Sequence, residues 1–299
     1  MVRPVVPEAD AQIGVRHSVL GHGFVALVDY MGNDAAIVQA ARVSYGAGTR
    51  TVRDDRGLIR YLMRHRHTTP FEMVELKFLI RLPIFVARQF IRHRTSSVNE
   101  ASYRYSVAPD EYEVPPPEEV RHQSVQNRQG RGDPLPGEVV DRFRADLERV
   151  SQDAYAAYTR ALEDGVARET ARLLLPVAFY TQWYWKCNLW NLFHFLSLRL
   201  DPHAQEEIRL YAAEMAKIAR TLCPIAYEAF EEFELSGLAL TRREQVAVRA
   251  LLEGRTAEDA CAAAGLELVR PDGRPFKSGE GVEFLAKLDR VRRSVAPSG

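Results

Sequence analysis

The chain has 299 residues, 46% of them hydrophobic, which allows one large domain or two ordinary ones. Lys plus Arg and Asp plus Glu both number 40, so global charge recruits no polyanion and an anion site has to be a local cluster. Cys187, Cys223 and Cys261 have no metal-type spacing and read as free thiols of a cytoplasmic protein. Residues 1–23 lack a basic start followed by an apolar core, so no signal peptide is expected. The longest apolar run, 173–180, is too short to span a bilayer and contains Pro176.

Residues 1–22 read as a loose arm, and Gly23 to Tyr30 as a strand. Asn33 or Asp34 can cap a helix through about Ser44 with Ile37, Ala40 and Ala41 on its stripe. Asp54-Asp55 opens a second helix carrying Leu58, Ile59, Leu62 and Met63, which runs out at His65 to Glu72. Val74, Leu76, Phe78, Ile80 and Leu82 then alternate with Glu75, Lys77, Leu79 and Arg81, the pattern of a half-buried strand. Pro83 starts a short packed helix, about 83 to 93, that ends in a polar loop. Residues 106–136, rich in Pro, Gly and charge, read as a long mobile loop.

Helices dominate the second half: 137–164, 168–175, 188–200, a long one from Asp201-Pro202 to about Leu222, and a separate piece over 224–234. Between them Val177 to Lys186 is aromatic and strand-like. Gly237 marks a boundary before an Ala- and Arg-rich tail. Leu240 to Gln245, then Thr256 to Ala260 and Gly265, in that tail faintly suggest a helix-turn-helix, but a packing or oligomer-stabilising appendage is the preferred reading. Strands and helices do not alternate regularly. The expected fold is therefore α+β, an antiparallel sheet flanked by helices with a largely helical second half. It is not a Rossmann fold, since no Gly-x-Gly-x-x-Gly follows a strand and no phosphate loop is present.

The chemistry concentrates in Arg92-His93-Arg94-Thr95-Ser96-Ser97-Val98-Asn99-Glu100-Ala101-Ser102-Tyr103-Arg104-Tyr105. Gln89, Arg92 and His93 share one helix face. Arg88, Arg92, Arg94 and Arg104 stand close to a single carboxylate, Glu100. Arginine forks match phosphate oxygens two bonds at a time, so this stretch suits an anionic ligand with further polar edges, such as a nucleotide. The plainer reading is a solvated basic loop with Glu100 as an ion-pair partner. His65, His67 and Glu72 leave a similar choice between a metal site and a helix end, with the helix end preferred. Arg168 and Arg172, one turn apart around Glu169, read as a solvated helix face on residues alone, and His194 as a core histidine.

Taken whole, Arg-His-Arg-x-x-Ser-x-Asn-Glu-x-Ser-x-Arg-Tyr resembles the signature of flavin-dependent thymidylate synthases. Three further stretches are similar to segments of that family: His67 to Glu72, Arg168 to Pro176, and Asn188 to Gln205, which ends in Leu-Arg-x-Asp-x-x-Ala-Gln. Met73 and Trp190 depart from it, because relatives often carry His and Arg there. The resemblance implies methylation of dUMP to dTMP, with 5,10-methylenetetrahydrofolate as carbon donor, FAD as hydride carrier and NADPH as its reductant, and with no enzyme cysteine as nucleophile. It assigns Gln89, Arg92, Glu100, Ser102, Arg104, Arg172 and Arg199 to dUMP, with Arg199 catalytic. It assigns Thr69, Arg92, His93, Arg94, Glu100, Asn188 and His194 to FAD, and sets His67 near the folate. It also implies a homotetramer with sites shared between subunits. Residues 1–235 would be the catalytic domain and 236–299 a C-terminal helical extension. Two other classes stay open on the residues alone: a nucleotide or RNA binder without catalysis, and a structural oligomer whose Arg–Glu clusters are interface ion pairs.

Overall fold

A computed structural model describes residues 5–43, 55–124 and 130–294. The expected helix end at Ser44 and helix start at Asp54 lie outside the described residues. The N-terminal arm is not loose. Pro7–Asp10 makes one helical turn, α1, and His17–Val19 forms β1, which pairs with β2, Gly23–Met31. The Tyr30 hydroxyl accepts from the Val6 amide at 3.0 Å and donates to Asp10 at 2.5 Å. Local sequence gave no sign of this arm's order because its partners are residues on β2.

Helix α3, Asp55–Arg64, buries the stripe expected of it, Leu58, Ile59, Leu62 and Met63, whereas α2, Asp34–Val43, buries Ile37, Val38 and Ala41, with Ala40 of the expected stripe only half-buried and Val43 exposed. A single turn, α4, Thr69–Glu72, leads into β3, Glu75–Pro83. Leu76, Phe78, Ile80 and Leu82 of β3 are fully buried while Glu75, Lys77, Leu79 and Arg81 are half-buried, as the period of two dictates. Helix α5, Ile84–Phe90, follows at once, because Pro83 has the extended backbone of a helix entry (φ −62°, ψ 146°).

The signature then departs from the expected polar loop: Ser97–Glu100 is a strand, β4, added to the edge of the sheet. Its side chains show no alternation, since exposed polar residues flank a single half-buried Val98. The segment read as a long mobile loop also has defined structure where it is described. Arg121–Gln123, β5, and Arg131–Pro134, β6, form a two-stranded ribbon. Upstream of it the buried Glu113 carboxylate accepts from the Gly21 amide at 3.1 Å and from the Tyr180 hydroxyl. Part of that loop, 125–129, lies outside the described residues. Proline, glycine and charge mark a stretch that cannot build its own core; they say nothing about anchors on other elements.

Helix α6, Gly137–Glu163, is followed by the short α7, Arg168–Ala171, and by β7, Tyr180–Asn188. The sheet is antiparallel throughout, in the order β1-β2-β3-β7-β4. Helix α8, Leu189–Arg199, precedes α9, Glu206–Leu222, and α10, Pro224–Phe230. The long helix therefore starts at Glu206 rather than at Asp201. Asp201 accepts from the His203 amide at 2.7 Å, a local turn that competes with helix at that point. Ile208, Tyr211, Ala212, Met215, Ile218, Ala219 and Leu222 bury one face of α9, and each large side chain among them contributes about 1.5–3 kcal/mol.

The described residues fall into two compact units, one ending at Leu235 and the other beginning at Ser236. The second holds α11, Arg242–Leu252, α12, Ala257–Ala263, and α13, Glu280–Ser294, around Ala247, Ala250, Ala260, Cys261, Leu266 and Phe284. Thr241 and Glu244 form a capping box, and Lys287 holds the buried Glu244 at 2.7 Å. Helix α12 carries Glu258 and Asp259 in its first turn, the charge least suited to a DNA-reading helix. Among the described residues no helix is long and apolar enough to cross a membrane.

Candidate active site

Phe90 anchors the first group of candidate residues. Its ring packs against Trp183 at 5.8 Å, Phe195 at 4.8 Å and Tyr211 at 6.1 Å between centroids. With that face of α5 fixed, Gln89 and the turn beyond it, Arg92 and His93, lie at its margin. Helix α8 is built the same way. The Asn188 side chain caps it by accepting from the Asn191 amide at 2.9 Å, and Leu189, Leu192, Phe193, Phe195 and Leu196 are buried. His194 is left exposed and Arg199 half-buried.

These two elements meet at His93. Arg199 Nε donates to His93 Nε2 at 3.0 Å. The His93 ring also packs edge-on to Phe195 at 4.8 Å and lies 6.0 Å from His194. Burial, then the charges of Arg199 and His194, lower the His93 pKa from 6.5 to about 4, so the ring is neutral at physiological pH. Burial and the neighbouring Arg92 likewise lower that of Arg199, though a guanidinium keeps its proton. Asp201, two residues beyond Arg199, pairs with His203 at 2.8 Å, and no described carboxylate lies within ion-pair distance of Arg199. Gln89 Nε2 donates to Gln205 Oε1 at 2.6 Å, which ties α5 to the start of α9.

A second group surrounds a cleft of about 350 Å³ at the β4–β7 edge, lined by Ile84, Glu100, Ser102, Tyr103, Arg172 and Thr181 among others. Thr181 donates to Glu100 at 2.7 Å, and the Tyr103 hydroxyl to the Tyr180 carbonyl at 2.6 Å. Arg104 pairs with Glu169 at 3.1 Å, and Arg172 Nε donates to the Glu169 carbonyl at 3.3 Å. Ile84 begins α5, so a seven-residue helix, about 10 Å long, separates this cleft from the His93–Arg199 group.

Thr69 stands apart, in a hollow of about 770 Å³ with His67, Tyr61, Arg66 and Met73 in its wall. His65 and His67 each pack on Tyr61, at 4.4 and 5.8 Å. Trp190 on α8 packs on Phe71 of α4 at 6.0 Å, which fills its position with apolar contact rather than charge. Sequence reasoning gave no role to Gln205, Thr181, Tyr103 or Glu169. Gln205 ends the Leu-Arg-x-Asp-x-x-Ala-Gln segment and was legible there; the others act through partners distant in sequence.

Residues 26–225 match the family described as thymidylate synthase complementing protein. This chain belongs to that family. Flavin-dependent thymidylate synthase of Ruegeria pomeroyi is 52% identical over 256 residues, covering 84% of this chain and 85% of that protein. The protein of that description from Thermus thermophilus is 55% identical over 248 residues, covering 83% and 90%. Among solved structures, a UMP/dUMP methylase, PolB, from Streptomyces cacaoi bound with 5-Br UMP superposes with a TM-score of 0.66 at 38% identity, over 74% of this chain and 99% of that one. The span matched to the thymidylate synthase complementing family holds every candidate residue described above and ends before α11.

Proposed function

We propose that this chain is a flavin-dependent thymidylate synthase. It methylates dUMP to dTMP with 5,10-methylenetetrahydrofolate as carbon donor and FAD, reduced by NADPH, as hydride carrier. One observation carries the reading: Arg199, a half-buried cation beside Arg92, has a neutral imidazole as its partner and no described carboxylate. Such a charge suits an anion that the chain does not itself supply.

The residues fit a dinucleotide with a pyrophosphate. Arg92 and Arg94 are exposed and ion-pair with no described carboxylate, so their forks are open to phosphate oxygens. Thr69, His93, Glu100, Asn188 and His194 complete the proposed FAD set, Asn188 with only its amide donors to spare once its oxygen caps α8. Bound there, reduced FAD supplies the hydride that completes the methyl group.

The chain's own residues bind and polarise dUMP. Arg104 and Arg172 offer cations to its phosphate. The Arg104–Glu169 pair is more than half exposed, so opening it costs little. Gln89, Ser102 and Glu100 supply hydrogen-bond partners, with Glu100 held by Thr181. Arg199 fixes positive charge beside the uracil edge where negative charge develops, which pushes electron density toward C5. No thiol takes part. Burial holds the thiols of Cys187 and Cys223 well above their usual pKa and suppresses the nucleophilic thiolate.

The proposal includes a cytoplasmic homotetramer whose sites draw residues from several copies, with residues 1–235 as the catalytic domain and 236–299 as an extension. Tyr105, Leu173 and Val177 support the oligomer: they are 78%, 79% and 60% exposed, large apolar side chains of which Tyr105 follows Arg104 and Leu173 follows Arg172 in the chain. The test is purified protein incubated with dUMP or UMP, methylenetetrahydrofolate, NADPH and FAD. The expected result is flavin absorbance that bleaches with NADPH, and dTMP formed from dUMP. Nucleotide binding without flavin would leave a binding module, and binding of neither a structural oligomer; either outcome sinks the reading.

A further inference from the structure

We infer that His93 is the positioning residue of Arg199: it takes the Nε–H of the guanidinium and leaves only the end edge, Nη1 and Nη2, to face the substrate. The inference rests on the reading of Arg199 as the group that activates uracil.

A guanidinium has two edges that donate in pairs, a side edge made of Nε and one Nη, and an end edge made of both Nη atoms. The 3.0 Å bond from Arg199 Nε to His93 Nε2 occupies the side edge. It also fixes the tautomer of the ring. Arginine stays protonated, so Nε2 must offer its lone pair and the ring proton sits on Nδ1. The acceptor is itself held. Phe195 packs edge-on to the ring at 4.8 Å, and Ser96 Oγ donates to the His93 carbonyl at 2.9 Å. Nδ1–H, on the other side of the ring, stays available to a second ligand, so the role is compatible with a flavin contact.

The choice of imidazole has a physical reason. A carboxylate at this position would orient the guanidinium equally well but would neutralise it. A neutral acceptor orients the group and leaves its charge for the developing uracil anion. Arg92 and His194 are the other titratable groups beside the pair, and neither neutralises it. Sequence pattern does not reveal this bond, because 106 residues separate the partners.

Three variants of the full-length enzyme separate the roles. H93Q keeps a neutral acceptor, H93E makes it anionic, and H93L removes it. Each is measured alone and with R199A, by kcat at saturating dUMP, by equilibrium titration of dUMP onto enzyme without folate, and by bound FAD. H93L is expected to lower kcat by roughly 10- to 100-fold, the scale of one hydrogen bond to a charged group. H93Q should recover most of that loss and H93E should not, with kcat read at saturating FAD so that a weakened flavin contact of the ring does not enter it. Because His93 acts through Arg199, H93L with R199A should be no slower than R199A alone. Losses that multiply in the double variant overturn the inference, as does a kcat loss in H93L that saturating FAD restores in full. Should H93L fail to fold, the Gln–Glu contrast decides, and Gln no better than Glu overturns it. Wild-type enzyme that forms no dTMP would sink the functional reading itself; active wild type with multiplying losses sinks only the role of His93.

Discussion

Arg199 and His93 concentrate the testable chemistry at the scale of single residues. Replacing Arg199 by Ala should lower turnover by roughly 10²-fold or more, the scale of removing one transition-state donor. Bound FAD and the thermal midpoint should change little, and Lys should rescue only in part because it keeps the charge and loses the fork. Normal turnover at saturating dUMP would remove Arg199 from the mechanism. His93 carries a second consequence. Its pKa falls from 6.5 to about 4 on folding, so below pH 6.5 the unfolded chain binds the proton that the folded chain refuses. Stability from this group is full above 6.5 and is lost as pH falls toward 4. The thermal midpoint of wild type should therefore fall more steeply across that window than that of H93Q. Parallel curves would mean that the ring takes up its proton in the folded state as readily as in the unfolded one.

Between elements, the Arg131 side chain ties the ribbon of β5 and β6 to α9. Arg131 pairs with Glu119 at 2.5 Å and with Glu207, whose side chain is only 9% exposed and whose second oxygen has no partner. Burial opposes the Arg131 charge, but the two carboxylates outweigh it and raise its pKa. Removing the cation alone strands a buried carboxylate, so Arg131→Met should destabilise by about 3 kcal/mol. Replacing both, Arg131→Met with Glu207→Met, should recover most of that loss, because two apolar chains of similar length fill the site without a stranded charge. Chemical denaturation checks both, and a double variant no more stable than the single one would show that Glu207 is not the group left stranded. Glu207 lies two residues beyond Gln205, the partner of Gln89, so the ribbon buttresses the start of the helix that borders the site.

For the whole molecule, the second unit has a buried core of its own among the described residues and an ion pair from the half-buried Lys287 to the buried Glu244, while every candidate site residue belongs to the first. A chain ending at Leu235 is expected to fold, bind FAD and methylate dUMP. A folded truncation that has lost FAD would assign the extension a part in the site. Shared sites make a further demand: turnover per chain should collapse on dilution to concentrations where light scattering reports monomers. Constant turnover in the monomer would show that one copy holds a complete site.

The sequence by itself determined the elements that bury a regular stripe. β3 alternates along most of its length, α3 and α9 repeat near every 3.6 residues, and these periods dictate which face is covered whatever lies on the other side. It also determined the family, because signature residues at fixed spacing stand in the chain itself. Tertiary structure alone decided the rest. Ser97–Glu100 became an edge strand because β7 offered unpaired backbone, not because its side chains alternate. The arm before β2 and the ribbon after Glu113 acquired order from Tyr30, Tyr180 and Glu207, single anchors far away in the chain. Arg199 was legible as a charge, but its neutral partner was not. A hydrogen bond between residues 93 and 199 exists only once Phe90 and Phe195 have packed α5 against α8.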